Sequence, residues 1–343
     1  VRTAFGEQFD VPAGYLNTAS IGVPPVFAAE AMTDVIGRWR RGQDNAPDFD
    51  PMVATARESW AALVGVNPER VAMGATVAEM IALIAAGVPD GTRVVTVRGE
   101  FTSATFPFAA QAYRGVTVTE VDADDLTDRA PEFDLVTVSA VQSADGAIAD
   151  LDGLRAAGTP VLLDVTQALG WLAVDVSWAE WVVGGSYKWL MSPRGVAWLA
   201  ISPDAPDWIR PHNANWFAGQ DPWTSIYGLP LRLADNARAF DTSPVWFSVT
   251  GAAATLPWLV KLDRRAVQEH NVGLANDLLA RLGLPPRDTA IVSLNAPGAG
   301  EHLKAAGIRC AVRAGRIRLA FHLYNTAEDV DAVTAALATH RVE

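Results

Sequence analysis

The chain has 343 residues, half of them hydrophobic and 19% charged, which is the profile of a globular enzyme-sized protein with room for two domains of about 150 residues each. A formal net charge of -12 argues against nucleic acid as a partner, because phosphate backbones require a basic face. The lone Cys310 leaves no internal disulfide or cysteine-based metal cluster, and no pair of histidines has metal-ligand spacing, so no metal is expected.

No apolar run approaches the roughly 18 to 20 residues of a membrane span; the longest is Met80 to Val88. The opening VRTAFGEQFD lacks the apolar core of a signal peptide, so a cytoplasmic protein without a membrane partner is expected. Residues 1–14 read as extended and irregular. Tyr15 to Pro25 is a loop dense in turn formers, which serves either as a ligand contact or as a plain lead into a helix. Helical spacing over Val26 to Arg41 puts Val26, Ala29, Met32, Val35, Ile36 and Trp39 on one side, and a second helix is expected over Pro51 to Val64.

From Arg70 onward, strand-like runs alternate with helical spacers. The strands are expected at Val71 to Met73, Val94 to Val97, Val116 to Val121, Leu135 to Val138, Val161 to Leu163, Trp181 to Val183 and Val196 to Ile201. That alternation predicts an α/β fold with a mostly parallel seven-stranded sheet, whose ligand sits at the carboxyl ends of the strands. A tryptophan- and proline-rich connection follows over 202–248, long enough to be functional or to pack on another subunit. Ser248 to Leu282 reads as one long helix, softly interrupted near Pro257. The rest reads as a smaller α/β unit with strands near Ala290 to Leu294, Arg309 to Val312 and Arg316 to Phe321. A final helix, Thr326 to His340, is opened by Thr326 with Asp329 at capping-box distance. The expected division is a large domain over 15–247 and a small domain over 1–14 plus 248–343.

Two polar residues end apolar runs in the middle of this pattern: Asp164 in VLLD, and Lys188 after the Gly184-Gly185-Ser186-Tyr187 turn. Lysine is scarce, the others being Lys261 and Lys304. Arginine serves equally well as surface charge, whereas Schiff-base chemistry needs an amine whose pKa can be lowered. Lys188 is therefore the candidate anchor for pyridoxal phosphate, a cofactor that also needs a carboxylate at its ring nitrogen, an apolar face over the ring and donors for its phosphate. Asp164 supplies the carboxylate, unless it only caps the next helix. Gln167 is placed to donate to the ring oxygen. Thr76, after Gly74 and Ala75, opens an apolar helix whose N-terminus suits a phosphate, although threonine is also an ordinary cap. Ser186 is a second phosphate donor, and Phe101 is either the ring-stacking face or plain core.

Taken in order, these pieces resemble the class V aminotransferase superfamily of pyridoxal phosphate enzymes, fold type I, over nearly the whole chain. The specific part is Asp164-x-x-Gln167 followed by Ser186-Tyr187-Lys188 and Pro193-x-Gly195. Tyr15-Leu16-Asn17, Gly74-Ala75-Thr76, Gln142 to Gly146, Arg316 to Leu319 and His322-x-Tyr324-Asn325-Thr326 add to it. The resemblance implies that Lys188 binds the cofactor covalently and moves the Cα proton, while Asp164 keeps the ring nitrogen protonated. It implies that Gln167 meets the ring oxygen, that Ala75, Thr76 and Ser186 bind the phosphate, that Gln142 faces the cofactor and that Phe101 stacks on it. Arg318 is implied to pair with the substrate's α-carboxylate, with Asn17 nearby as a substrate contact. It also implies a homodimer with shared active sites. At Phe240 to Pro244 the pattern breaks: Asp241 replaces a glycine, Ser243 precedes the proline, and an aspartate there is expected to repel the phosphate that Thr242 would otherwise reach.

The expected activity is that of an amino acid aminotransferase, a transferase. A carbon-sulfur β-lyase or a kynureninase-like Cβ-cleaving enzyme is the alternative, and a non-catalytic cofactor- or ligand-binding protein of the same fold is the alternative of another class. Cys310 falls in an apparent strand, so a persulfide-forming desulfurase is disfavoured.

Overall fold

The computed structural model describes residues 1–342. It opens with a hairpin: β1 (Arg2–Ala4) and β2 (Glu7–Phe9) pair antiparallel about a turn in which Phe5 and Gly6 take φ of 48° and 84°. Two left-handed residues give a turn whose twist matches the strands, so a segment expected to be irregular is ordered. A phenylalanine at such a position hides the turn from a sequence reading. Helices α1 (Val26–Arg40) and α2 (Asp50–Val64) follow as expected. The expected apolar face of α1 is split, however: Val35 is buried while Ile36 and Trp39 are 46% and 62% exposed.

All seven strands of the large sheet are present: β3 (Val71–Gly74), β4 (Arg93–Val97), β5 (Thr117–Val121), β6 (Leu135–Ser139), β7 (Val161–Asp164), β8 (Trp181–Gly185) and β9 (Ala197–Ile201). Their order is β3-β9-β8-β7-β6-β4-β5, and only β9 runs against the others. Connecting helices α3 (Val77–Ala85), α4 (Thr102–Ala109), α5 (Leu126–Arg129) and α6 (Leu151–Ala157) lie between the strands. Alternate strand residues face opposite sides. Val95, Leu163 and Val182 join Trp60 and Trp198 in one core, whereas Val94, Leu162 and Trp181 join Met80 and Ile84 of α3 in another. Burial on both faces is why these strands read as continuous apolar runs.

The helix expected over Ser248 to Leu282 is two helices, α7 (Trp246–Val260) and α8 (Arg264–Arg281). Pro257 lies inside α7 without ending it. The break comes at Asp263, whose side chain accepts from the Arg265 and Ala266 N–H groups at 2.9 and 3.3 Å and so starts a new helix. Beyond it β10 (Ile291–Leu294), α9 (Ala299–Ala305), β11 (Ala311–Arg313), β12 (Arg316–Ala320) and α10 (Ala327–Leu337) complete the chain. The three strands form an antiparallel sheet in the order β10-β12-β11, over a core that includes Leu278, Val292, Leu319 and Val333. Short α9 was not anticipated. The Thr326 and Asp329 capping box of α10 is formed. Among the described residues no helix is long and apolar enough to cross a membrane.

Candidate active site

The carboxyl ends of β3, β4, β6, β7 and β8 converge on one cavity of about 330 Å³. Its wall includes Lys188, Asp164, Gln167, Ala75, Thr76 and Phe101, together with Ser139, Ser143, Thr166, Tyr187 and Arg194. Six of the residues singled out in the sequence are thus brought together.

Lys188 is only 5% exposed. Burial lowers its ammonium to about 8; Asp164 opposes that shift, and Arg318, Arg313 and Arg194 add to it. Its Nζ lies 5.4 Å from the centre of the Phe101 ring and 5.5 Å from that of Tyr187. The backbone around it is tightly held. Gly22 donates to the Tyr187 carbonyl at 2.9 Å, and a Cβ on Gly22 would stand 1.9 Å from the Lys188 carbonyl oxygen, so this position requires glycine. The next residue, Trp189, donates its indole N–H to Gln167 Oε1 at 2.8 Å. The Trp189 carbonyl is met by His322 Nε2 at 3.0 Å. A carbonyl only accepts, so Nε2 carries the proton and Nδ1 accepts from Asn271 Nδ2 at 3.3 Å. Burial lowers His322 to about 3, which keeps this brace neutral.

Asp164 ends β7 at 5% exposure, and its Oδ1 accepts the Thr166 N–H at 2.8 Å. Burial raises its pKa; Thr166 and the Lys188 charge pull it down, and the Glu100 charge pushes it up. Asp164 makes no ion pair among the described residues, an arrangement that costs several kcal/mol unless a cationic donor meets it. Gln167 is fully engaged: Nε2 donates to the Ala19 carbonyl at 3.0 Å and to Ser143 Oγ at 3.1 Å.

At the start of α3, Thr76 Oγ accepts the Glu79 N–H at 3.2 Å and the Ala75 N–H donates to Glu79 Oε2 at 2.8 Å. Glu79 therefore occupies an N–H that an anion at this helix end would otherwise use. Ser186 and Gln142 are not on the cavity wall. Ser186 is fully buried and accepts the Trp198 indole N–H at 2.9 Å, while Gln142 donates to Glu100 Oε2 at 2.8 Å.

Arg318, on β12, is 2% exposed and reaches the cavity through Ser143. It donates to the Ser143 carbonyl, to Ser143 Oγ at 3.1 Å and to Ser20 Oγ at 2.7 Å. All are neutral acceptors, and burial lowers the guanidinium to about 10. Asn17 is paired across to Ala320 at the end of the same strand, with its Oδ1 buried and without a donor. The Asp241 carboxylate, expected to face a phosphate near Thr242, is engaged by other groups. Asp241 is turned inward, fixed by Arg57 at 2.7 and 3.1 Å and by the Met73 N–H at 2.8 Å, which leaves Thr242 beside it half-buried.

Three of the four needs of pyridoxal phosphate are met, by a buried amine with a lowered pKa, a buried carboxylate without a cation and an aromatic face beside the amine; at the phosphate end the Thr76 hydroxyl lines the cavity while the Ala75 N–H is held by Glu79. Ser186 is the one serine to which the sequence gives a role; Ser139 and Ser143, which line the cavity, are found only in the structure. Nothing in the spacing reveals that Ser143 joins Gln167 to Arg318.

This fold and site define a pyridoxal phosphate enzyme of fold type I. The chain belongs to the class V aminotransferases, whose family model matches residues 29–333, and enzymes of that family use pyridoxal phosphate. It is similar to an uncharacterised aminotransferase of Bacillus subtilis, 27% identical with 80% of each chain covered. It is also similar to the isopenicillin N epimerase of Streptomyces clavuligerus, 25% identical over 94% of this chain and 93% of that one. Among solved structures, a mutant of C-DES with glycine covalently linked to its PLP cofactor superposes with a TM-score of 0.85 at 19% identity, covering 96% of this chain and 97% of that one. The cysteine desulfurase of Thermococcus onnurineus gives a TM-score of 0.81 at 20% identity, covering 95% and 94%. These structural likenesses speak to the fold alone.

Proposed function

We propose that this enzyme is an aminotransferase acting on an α-amino acid. The observation that carries the reading is the placement of Lys188 and Asp164 on one cavity, with Arg318 beside it as a buried cation whose protein acceptors are neutral. Arg318 receives the substrate carboxylate, for which a planar fork is suited, and Ser143 orients that fork. Pyridoxal phosphate, when bound, supplies the electron sink that makes the Cα proton acidic. Lys188 holds it and moves that proton, Asp164 accepts from its ring nitrogen, Phe101 covers its ring, and Ala75 and Thr76 face its phosphate. Gln167 meets its ring oxygen only by giving up the bond from Nε2 to Ser143 Oγ.

Cys310 does not favour a sulfur-accepting role: it is half-buried beside β11, outside the cavity wall, and burial raises its thiol. We place the enzyme in the cytoplasm as a homodimer. Apolar side chains left open on the single chain support the dimer, including Trp39 at 62%, Tyr227 at 87% and Leu229 at 90% exposure. Two domains, 15–247 and 1–14 plus 248–343, are part of the same reading, with α7 as the connector resting on α1 and α2.

The test is a panel of amino acids incubated with the cofactor-loaded enzyme, with and without a keto acid acceptor. Keto acid formed from one amino acid only when an acceptor is present is the expected result. Pyruvate released from a cysteine-type substrate without acceptor would assign a carbon-sulfur lyase instead.

A further inference from the structure

Of the buried acids outside the proposed function, Asp241 and Asp329 are ion-paired and Glu100 is not. Glu100 follows β4, is 5% exposed and makes no ion pair among the described residues. Four donors hold it instead. The Phe101 N–H and the Ser139 hydroxyl meet Oε1 at 2.6 and 2.7 Å, and the Ser139 N–H and Gln142 Nε2 both meet Oε2 at 2.8 Å. An ionised carboxylate has about four lone-pair sites, so this one is saturated. Its donors belong to the turn before α4, the end of β6 and the loop that follows β6. The carboxylate therefore ties the turn carrying Phe101 to the strand beside β7, which ends in Asp164.

Phe101 needs such a tether. The residue is 44% exposed, too open for packing alone to hold it, and yet its ring centre lies 5.4 Å from Lys188 Nζ. At the N-cap of α4 its side chain makes no capping bond, so the backbone alone aims the ring. We propose that Glu100 is a positioning residue that fixes Phe101 over the cofactor ring, an inference that rests on the proposed function. The residue must be an acid because each oxygen serves one backbone N–H. A glutamine, whichever way its amide turns, sets an NH₂ against either the Phe101 or the Ser139 N–H, and neither backbone group can reverse its role.

The experiment is a double-mutant cycle on pyridoxal phosphate affinity and visible absorbance, using wild type, Glu100→Gln, Phe101→Leu and the double variant. Glu100→Gln is expected to weaken binding about tenfold, the consequence of one lost charged hydrogen bond. In the Phe101→Leu background the same change is expected to cost less than about twofold, because the ring it positions is gone. A purely structural role predicts independent, multiplicative effects, and that result overturns the inference, as does unchanged binding by Glu100→Gln. Should Glu100→Gln fail to fold, Gln142→Leu takes its place, since it removes one donor and leaves both backbone N–H groups paired. It is expected to weaken binding about two- to threefold in the wild-type background alone, and an equal effect in both backgrounds overturns the inference. Wild type that binds no cofactor would remove the proposed function itself, an outcome separate from the loss of coupling.

Discussion

Lys188 is surrounded by a strand end, two aromatic rings and three arginines, and that environment decides the pH at which its amine is free. Its pKa falls from 10.5 to about 8, chiefly through burial. The rate at which the cofactor-free enzyme captures pyridoxal phosphate, limited by the neutral amine, is therefore expected to rise with pH and level off above about 8. The same shift has a consequence for folding. Between pH 8 and 10.5 the unfolded chain keeps a proton that the folded cofactor-free chain has lost, so stability rises with pH across that window. Denaturation midpoints should show this slope in the cofactor-free wild type and lose it in Lys188→Met; a falling slope would contradict the buried, uncompensated amine. Lys188 and Asp164 were legible in the sequence because each is a polar residue ending an apolar run. Glu100 obeys the same rule but is masked by Arg98 and Gly99. Ser186 reads as a phosphate donor because its neighbours match a motif, yet its hydroxyl meets the indole of Trp198, and no local pattern reveals that partner.

At the scale of elements, the buried strands were legible as uninterrupted apolar runs. The hairpin and the helix break were not, because both turn on single residues. Phe5 accepts a left-handed backbone, and the capping strength of Asp263 outweighs the proline at 257. The junction between α2, β3 and the segment before α7 depends on a contact across the chain that spacing cannot reveal. Arg57 and Asp241 are both buried and paired at 2.7 Å. Burial pushes the Asp241 carboxyl up and Arg57 draws it back. Removing Arg57 leaves the buried Asp241 carboxylate only Arg238, at 3.9 Å, and the Met73 N–H, at a cost of about 3 kcal/mol. Arg57→Met is therefore expected to lose that much stability in chemical denaturation, and Arg57→Met with Asp241→Asn is expected to recover much of it. A loss below about 1 kcal/mol for the single variant would mean that the pair is solvent-screened.

Across the whole molecule, the loop from Tyr15 to Gly22 stitches the two sheets to the lysine. Leu16 bonds to Arg309 and Ala320 beside the small sheet, Ser20 accepts from Arg318, and Gly22 donates to the carbonyl before Lys188. In sequence this stretch was equally a ligand contact or a lead-in. Its role emerges only when residues some 300 positions apart meet, as they do again where Arg2 clamps Asp329 at 2.5 and 2.9 Å. The fold class was legible because alternation of strand and helix repeats along the chain. The link from Arg318 to Gln167 through Ser143 was not. The central claim is that this assembly presents one lysine amine to pyridoxal phosphate, and absorbance tests it most directly. Cofactor added to the purified wild type should produce a visible band that Lys188→Ala abolishes while keeping its fold. A band that persists unchanged in Lys188→Ala, or no band in the wild type, would contradict the account.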